Sequence, residues 1–356
     1  MYDIFGYIKK YGNVSFKDKE FNVIDSMIFS AITYIDYSNI VGKKKVNLSF
    51  ALRNFLCIYS IKDYIRSASV EKETIKLAKL MIKSKRYSEV EVYNYEYKLT
   101  DVEQFGAITF KMPDGNIFVS YLGTDDNMVA WFEDFNMIHQ FPVPAQKDAI
   151  KYLNKTVSLF DKKVFVGGHS KGGNLGLVAA MYCNPFIRMK IKKIISLDGP
   201  GLRYKEITSK RYKKVHERYE HIIPNYSVIG LLLRHAGTYK VVKSKSIAPA
   251  ESHLVFSWML EDDNIKEVKL SSVSKKLDNS ILIWLDEHDD VTRREMVYRV
   301  FSAIREAGIT NVKHFGNLKN LYNLIKNIHG LDVGTKTLIK DFFKFNVGYL
   351  VSKKRD

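Results

Sequence analysis

The chain has 356 residues, 46% of them hydrophobic, and a formal net charge of +17. That is ample for a sizeable core, in one large domain or a domain with additions. It holds no run of about 18 apolar residues, which excludes a simple membrane-spanning helix, and "MYDIFGYIKKYGNVSF" has no apolar signal region, so a soluble cytoplasmic protein is expected. In chain order, Phe21 to Asp36 carries apolar residues at helical spacing, and "KETIKLAKLMIKSKRY" reads as a second helix. The period then changes. "EVEVYNYEYKL" alternates as a strand does, and "FGAITFK" and "NIFVSYLG" flank "MPDG" as the arms of a β-hairpin.

From there strands and helices alternate. "MVAWFEDFNMIHQF" and "PAQKDAIKYLNKTVSLF" read as helices, "KVFVG" as a strand, "KGGNLGLVAAMYC" as a helix and "KIISLD" as a strand; "TYKVVKS" adds another strand. Such alternation predicts an α/β sheet with helices on both faces. After about residue 270 the pattern is helical, in "RREMVYRVFSAIREAG", "LKNLYNLIKNIHG" and "TLIKDFFKFNVGYLVSKK". No linker rich in Pro, Gly or Ser interrupts the chain. The expectation is a single domain over residues 1–356, with a helical segment at about 1–88 and a helical extension at about 272–356. Cys57 and Cys183 both sit in apolar, helix-like stretches and are expected to be buried free thiols, as in a reducing compartment.

The most informative stretch is "KVFVGGHSKGGNLGLVAAM". Gly168-His169-Ser170-Lys171-Gly172 fits G-x-S-x-G, the sharp strand-to-helix turn that lifts a serine hydroxyl above a sheet edge. Small residues suit its crowded backbone, and the helix start supplies a dipole and free N–H groups. The motif alone is weak; a strand before it and a helix after it make it strong. Acyl transfer also needs oxyanion donors. The Lys171 N–H is one, and Thr124, in the strand-to-helix stretch "FVSYLGTDDNMVAWFEDF", is expected to supply another. Asp125 and Asp126 read as helix N-caps.

Together "LGTDDNMVAWFEDF" and "GHSKGGNLGLVAA" resemble the class 3 lipase pattern, with Leu122 where lipases usually carry Arg. More closely, these segments with "FNVIDSMIFSAITYIDYSNIV", "PVPAQKDAIKYL", "LDGPG", "IIPNYSVIGLLL" and "HLVFSW" resemble the bacterial Mbeg-like family over roughly residues 1–300. The resemblance implies an α/β-hydrolase fold, with a mostly parallel sheet and a Ser–Asp–His order, and supplies no substrate.

For the base, His253 in "PAESHLVFSW" enters an apolar run and matches the histidine before F-S-W in the resembling family; His235 is the alternative, as is no catalytic histidine. His216 and His221 lie in a basic, helix-like stretch that reads as a solvated face, and the acids around His288 read as a helix cap rather than metal ligands. For the acid, Asp198 ends the strand after the elbow helix. Class 3 lipases place the acid one strand later, where "IIPNYSVIGLLL" has no carboxylate. The alternative is a Ser170–His253 dyad, with Asp198 capping a turn.

The leading expectation is therefore a serine hydrolase of the esterase/lipase type, acting on an acyl ester or thioester through Ser170, His253 and Asp198. The alternative is a catalytically inactive hydrolase-fold module that binds a ligand or partner. No cofactor and no metal is assigned. The expected partner is a small acyl-containing substrate; the basic interval Arg203 to Lys245 reads either as part of a roof over the site that docks on an acidic membrane surface or as ordinary solvated lysines. Nucleic acid rests on net charge alone and is not favoured, because zinc, helix-turn-helix and RNP-type patterns are missing. Oligomeric state is not legible.

Overall fold

The computed structural model describes residues 1–58, 61–237 and 239–331, together with Lys336. Among them, eight strands form one sheet, in chain order: β1 (Val46–Asn47), β2 (Glu91–Leu99), β3 (Gln104–Lys111), β4 (Ile117–Tyr121), β5 (Val164–His169), β6 (Ile191–Leu197), β7 (Tyr219–Pro224) and β8 (Lys240–Val242). β1 to β4 pair antiparallel, with β3 and β4 forming the expected hairpin. β4 to β8 are all parallel. A small antiparallel pair, β9 (Leu260–Glu261) and β10 (Asn264–Ile265), follows.

Helices α1 (Ile4–Tyr11), α2 (Val23–Ile32), α3 (Leu48–Leu56), α4 (Glu71–Ile82) and α5 (Lys85–Ser88) precede β2. Connecting β4 to β5 are α6 (Met128–Asn136) and α7 (Pro144–Thr156); α8 (Lys171–Tyr182) and α9 (Pro185–Lys190) connect β5 to β6; α10 (Tyr204–Ile207) and α11 (Lys210–Lys213) connect β6 to β7. α12 (Pro249–His253) comes after β8, and α13 (Ser272–Glu287), α14 (Asp290–Glu306) and α15 (Leu318–Gly330) follow β10. The last expected helix, over 337–354, lies outside the described residues.

The period of two along β4 sets the layers. Ile117, Val119 and Tyr121 pack with Ala149 and Leu153 of α7 and Leu175 and Val178 of α8. Phe118 points the other way and meets Phe21, Phe29 and Phe110. Parallel strands added in one direction by right-handed crossovers carry all their connecting helices on one face. The opposite face would be bare; α1 to α4 cover it, with Ile24, Ile28, Phe29 and Leu77 fully buried there. A buried Arg86–Asp25 pair, bidentate at 2.9 and 2.6 Å, ties α5 to α2 within this layer. α13 and α14 pack with Met137 and Val143, beside α6 and α7. The chain has the α/β-hydrolase fold.

Three local expectations are corrected. His221 is not on a solvated helix: α11 ends at Lys213, and His221 is buried in β7, an interior strand whose adjacent residues Ile222 and Ile223 pack into separate cores. Cys57 is exposed because it stands at the C-cap of α3, past the helix's apolar stripe; Cys183 is buried, and both thiols are free. The N-cap of α6 is Asn127 rather than an aspartate. Asp125 instead accepts from the Asn127 N–H and the Tyr97 hydroxyl, and Asp126 from the Ala68 N–H. Asp289 does cap α14, as the acids around His288 suggested.

Candidate active site

Ser170 follows β5 and occupies the N-cap position of α8 at φ 58°, ψ −133°. This left-handed conformation is costly for a residue with a Cβ and marks an over-determined turn. What determines it is close packing. A Cβ on Gly172 would lie 2.1 Å from the Tyr121 carbonyl oxygen, and one on Gly123 would lie 3.2 Å from Ser170 Cβ. The elbow helix therefore abuts β4, and the Gly123–Thr124 turn abuts the serine. Although Ser170 sits where N-capping side chains sit, its hydroxyl caps nothing. It is 7% exposed.

Lys171 begins α8, so its N–H has no partner within the helix. Its side chain, itself fully buried, turns away from the serine towards two carboxylates, the buried Glu133 and the partly exposed Asp134. Nζ donates to the Gln104 carbonyl at 3.0 Å and to Glu133 at 3.2 Å, and pairs with Asp134 at 3.3 Å. Burial alone would pull this ammonium down, but the Asp134 and Glu133 carboxylates hold it above the usual lysine range. Asp134 also accepts from the Thr124 hydroxyl, so one carboxylate holds both the Thr124 turn and the first residue of α8. The unusual lysine beside the serine is thus part of the scaffold.

Asp198 directly follows β6 at φ 52° and is fully buried. Oδ2 accepts from His253 Nδ1 at 2.6 Å. Oδ1 accepts from the Ser227 hydroxyl at 2.5 Å and the Gly230 N–H at 3.1 Å. Ser227 and Gly230 belong to "IIPNYSVIGLLL", the stretch that lacks a carboxylate; here it supplies donors to the acid of the preceding strand end. Gly230 must be glycine, since a Cβ there would lie 2.2 Å from Asp198 Oδ1. Because a carboxylate only accepts, His253 Nδ1 carries a proton, and the neutral imidazole would then have its lone pair at Nε2.

His253 ends α12, and its side chain is partly exposed. The buried Trp258 behind it donates its indole N–H to the Ser252 carbonyl at 2.9 Å. His169, one residue before the serine, lies with its ring centroid 4.4 Å from that of His253 and places Nε2 2.8 Å from the His253 carbonyl oxygen. Burial, then the nearby His253, pull His169 down to about 3, so it is neutral. Its Nε2–H donates to that carbonyl, and Nδ1 accepts from the Tyr34 hydroxyl at 3.1 Å. His169 and Tyr34 are not among the expected site residues, although they lie in "GHSKGGNLGLVAA" and "FNVIDSMIFSAITYIDYSNIV"; the one sequence signal for His169 is its place in G-H-S.

His235 is elsewhere. It stacks on His221 at 4.1 Å, and burial pulls both below the usual histidine range. His221 Nε2–H donates to the Gly230 carbonyl at 2.9 Å, so this pair supports the turn that holds Asp198. Within the basic interval Arg203 to Lys245, Lys210, Arg211 and Lys214 do not roof the serine. They border a cleft with Tyr182 and Cys183, at the opposite end of α8 from Ser170. No group of three or more metal-ligating side chains occurs among the described residues, and no helix among them is long and apolar enough to cross a membrane.

Among solved structures, a crystal structure of M37 lipase matches at 13% identity and a TM-score of 0.36, covering 71% of this chain and 83% of that one. At that TM-score the likeness adds nothing to the argument from topology. No curated protein matches. The family model described as Mbeg1-like matches residues 81–302, which carry β2 through most of α14, the elbow, Asp198 and His253; the chain belongs to the Mbeg1-like family.

Proposed function

We propose that the chain is a serine hydrolase of the esterase/lipase type, acting on an acyl ester or thioester. The observation that carries this reading is the 2.6 Å Asp198–His253 hydrogen bond, formed beside a strained strand–serine–helix elbow. Ser170 Oγ attacks the acyl carbonyl carbon while its proton passes to His253 Nε2. Asp198 keeps the imidazole in the tautomer that accepts there and stabilises the imidazolium. The N–H groups of Lys171 and Thr124 donate to the oxyanion; each such donor is worth about 100- to 1000-fold in rate. The C–O or C–S bond then breaks, the leaving group takes the proton from Nε2, and water releases the acyl group by the same route.

Two free cysteines favour a reducing compartment such as the cytoplasm. The second reading, an inactive binding module, is favoured by one observation: Ser170 is almost wholly buried. A fluorophosphonate probe separates them. Intact mass should show one adduct on the folded wild type and none on Ser170→Ala. A folded wild type without an adduct removes the hydrolase reading.

A further inference from the structure

At the far end of α8, about 18 Å along the helix from Ser170, lies a cleft of about 810 Å³. Four of its lining side chains are cations: Arg188, Lys210, Arg211 and Lys214. None of its lining residues is acidic, and none of the four cations forms an ion pair among the described residues. Two of the four are held in place. Arg188 donates through Nη1 to the Met181 and Cys183 carbonyls that end α8. Arg211 lies over the Tyr182 ring, 4.5 Å from its centroid. The rest of the lining mixes Tyr182, Cys183, Pro185 and Ile187 with the amides Asn154 and Asn184, and Cys183 and Ile187 are buried.

Like charges gathered around one recess repel one another, and low-dielectric walls concentrate their field. A volume in the range of small-molecule sites, a partly apolar lining and a cationic rim suit an amphiphilic anion better than a flat polyanion. The guanidinium groups match phosphate oxygens, and the lysines add charge. We propose that this cleft binds a small ligand carrying a phosphate group next to an apolar portion. This binding does not depend on the chemistry at Ser170. Phe186 and Met189 stand exposed on α9 beside Arg188, so a lipid headgroup is a second source of the same chemistry.

The test uses the full chain at low ionic strength. Calorimetric titration with phenyl phosphate and with inorganic phosphate is run beside co-sedimentation with phosphatidylglycerol vesicles. Phenyl phosphate should bind more tightly than inorganic phosphate. The double variant Arg211→Gln/Lys214→Gln, which changes two exposed side chains, should weaken its binding at least about tenfold, roughly 1.4 kcal/mol. Ser170→Ala should bind as wild type does. The equally charge-depleted Lys43→Gln/Lys44→Gln should also bind as wild type does. Binding only to vesicles, lost in the cleft variant and kept in the control, upholds the phosphate site with lipid as the source. An equal loss in both double variants, or no binding to any probe up to about 10 mM, overturns it.

Discussion

His253 is fixed at its ring by Asp198, at its backbone carbonyl by His169, and from behind by the Trp258 turn. The middle contact makes His169 a positioning residue: it holds the peptide that carries the proposed base, and its ring packs against the ring of that base. Removing its donor should misplace that base, and small misplacements cost rate rather than binding. His169→Leu is expected to lower kcat for p-nitrophenyl esters by about 100-fold with KM little changed. His169→Gln, whose amide N–H can reach the same carbonyl, should recover most of it. Equal rates for the two variants would show that the contact carries no catalytic weight. The sequence pointed to Asp198 and His253, and the structure joins them by a hydrogen bond. It could not point to the His169–His253 contact, because that pairing spans 84 residues and nothing local in G-H-S says what the histidine faces.

Between elements, the largest single device at the site is the buried cluster joining α6 to α8. Glu133 accepts from the Gln104 N–H at 3.1 Å and the Ala145 N–H at 2.7 Å while pairing with Lys171. It therefore ties β3, α7 and α8 to α6. Removing one partner of such a cluster leaves a buried charge without compensation, which typically costs about 3–5 kcal/mol. Lys171→Met should be destabilised by that amount in urea unfolding, and Lys171→Met/Glu133→Gln should recover part of it because the stranded carboxylate is gone. A single variant as stable as wild type would mean that the two acids simply take up protons. The elements themselves were largely legible: the alternation in "EVEVYNYEYKL", the "MPDG" hairpin and the switch to a helical period after the elbow each became β2, β3–β4 and α8. What was not legible was the use of the N-terminal helices. Their periodicity says that they have an apolar face, but only the one-sided crossovers of β4 to β8 show that this face closes the sheet. The same limit hid His221, whose basic neighbours gave no sign that its strand lies inside the sheet.

At the scale of the whole molecule, three histidines buried in the neutral state bias stability against acid. Burial pulls His169 from 6.5 down to about 3, and pulls His221 and His235 down as well. Below about pH 6.5 the unfolded chain binds a proton at His169 that the folded chain refuses, so stability falls as pH falls. The loss runs at about 1.4 kcal/mol per pH unit for this one residue, from near 6.5 down to about 3. Glu133 and Asp134 act in the opposite sense, since burial raises both: their charged forms weaken the fold as pH rises above the usual carboxylate range. The net curve is therefore a sum, and a variant isolates one part of it. His169→Gln keeps the donor but cannot titrate. Its urea-unfolding stability should fall less steeply than that of the wild type, so that the difference between the two shifts in favour of the variant by about 3 kcal/mol between pH 6 and pH 4. Parallel curves over that range would mean that the folded protein protonates His169 as readily as the unfolded chain does. The Tyr34–His169–His253 arrangement would then open on mild acidification.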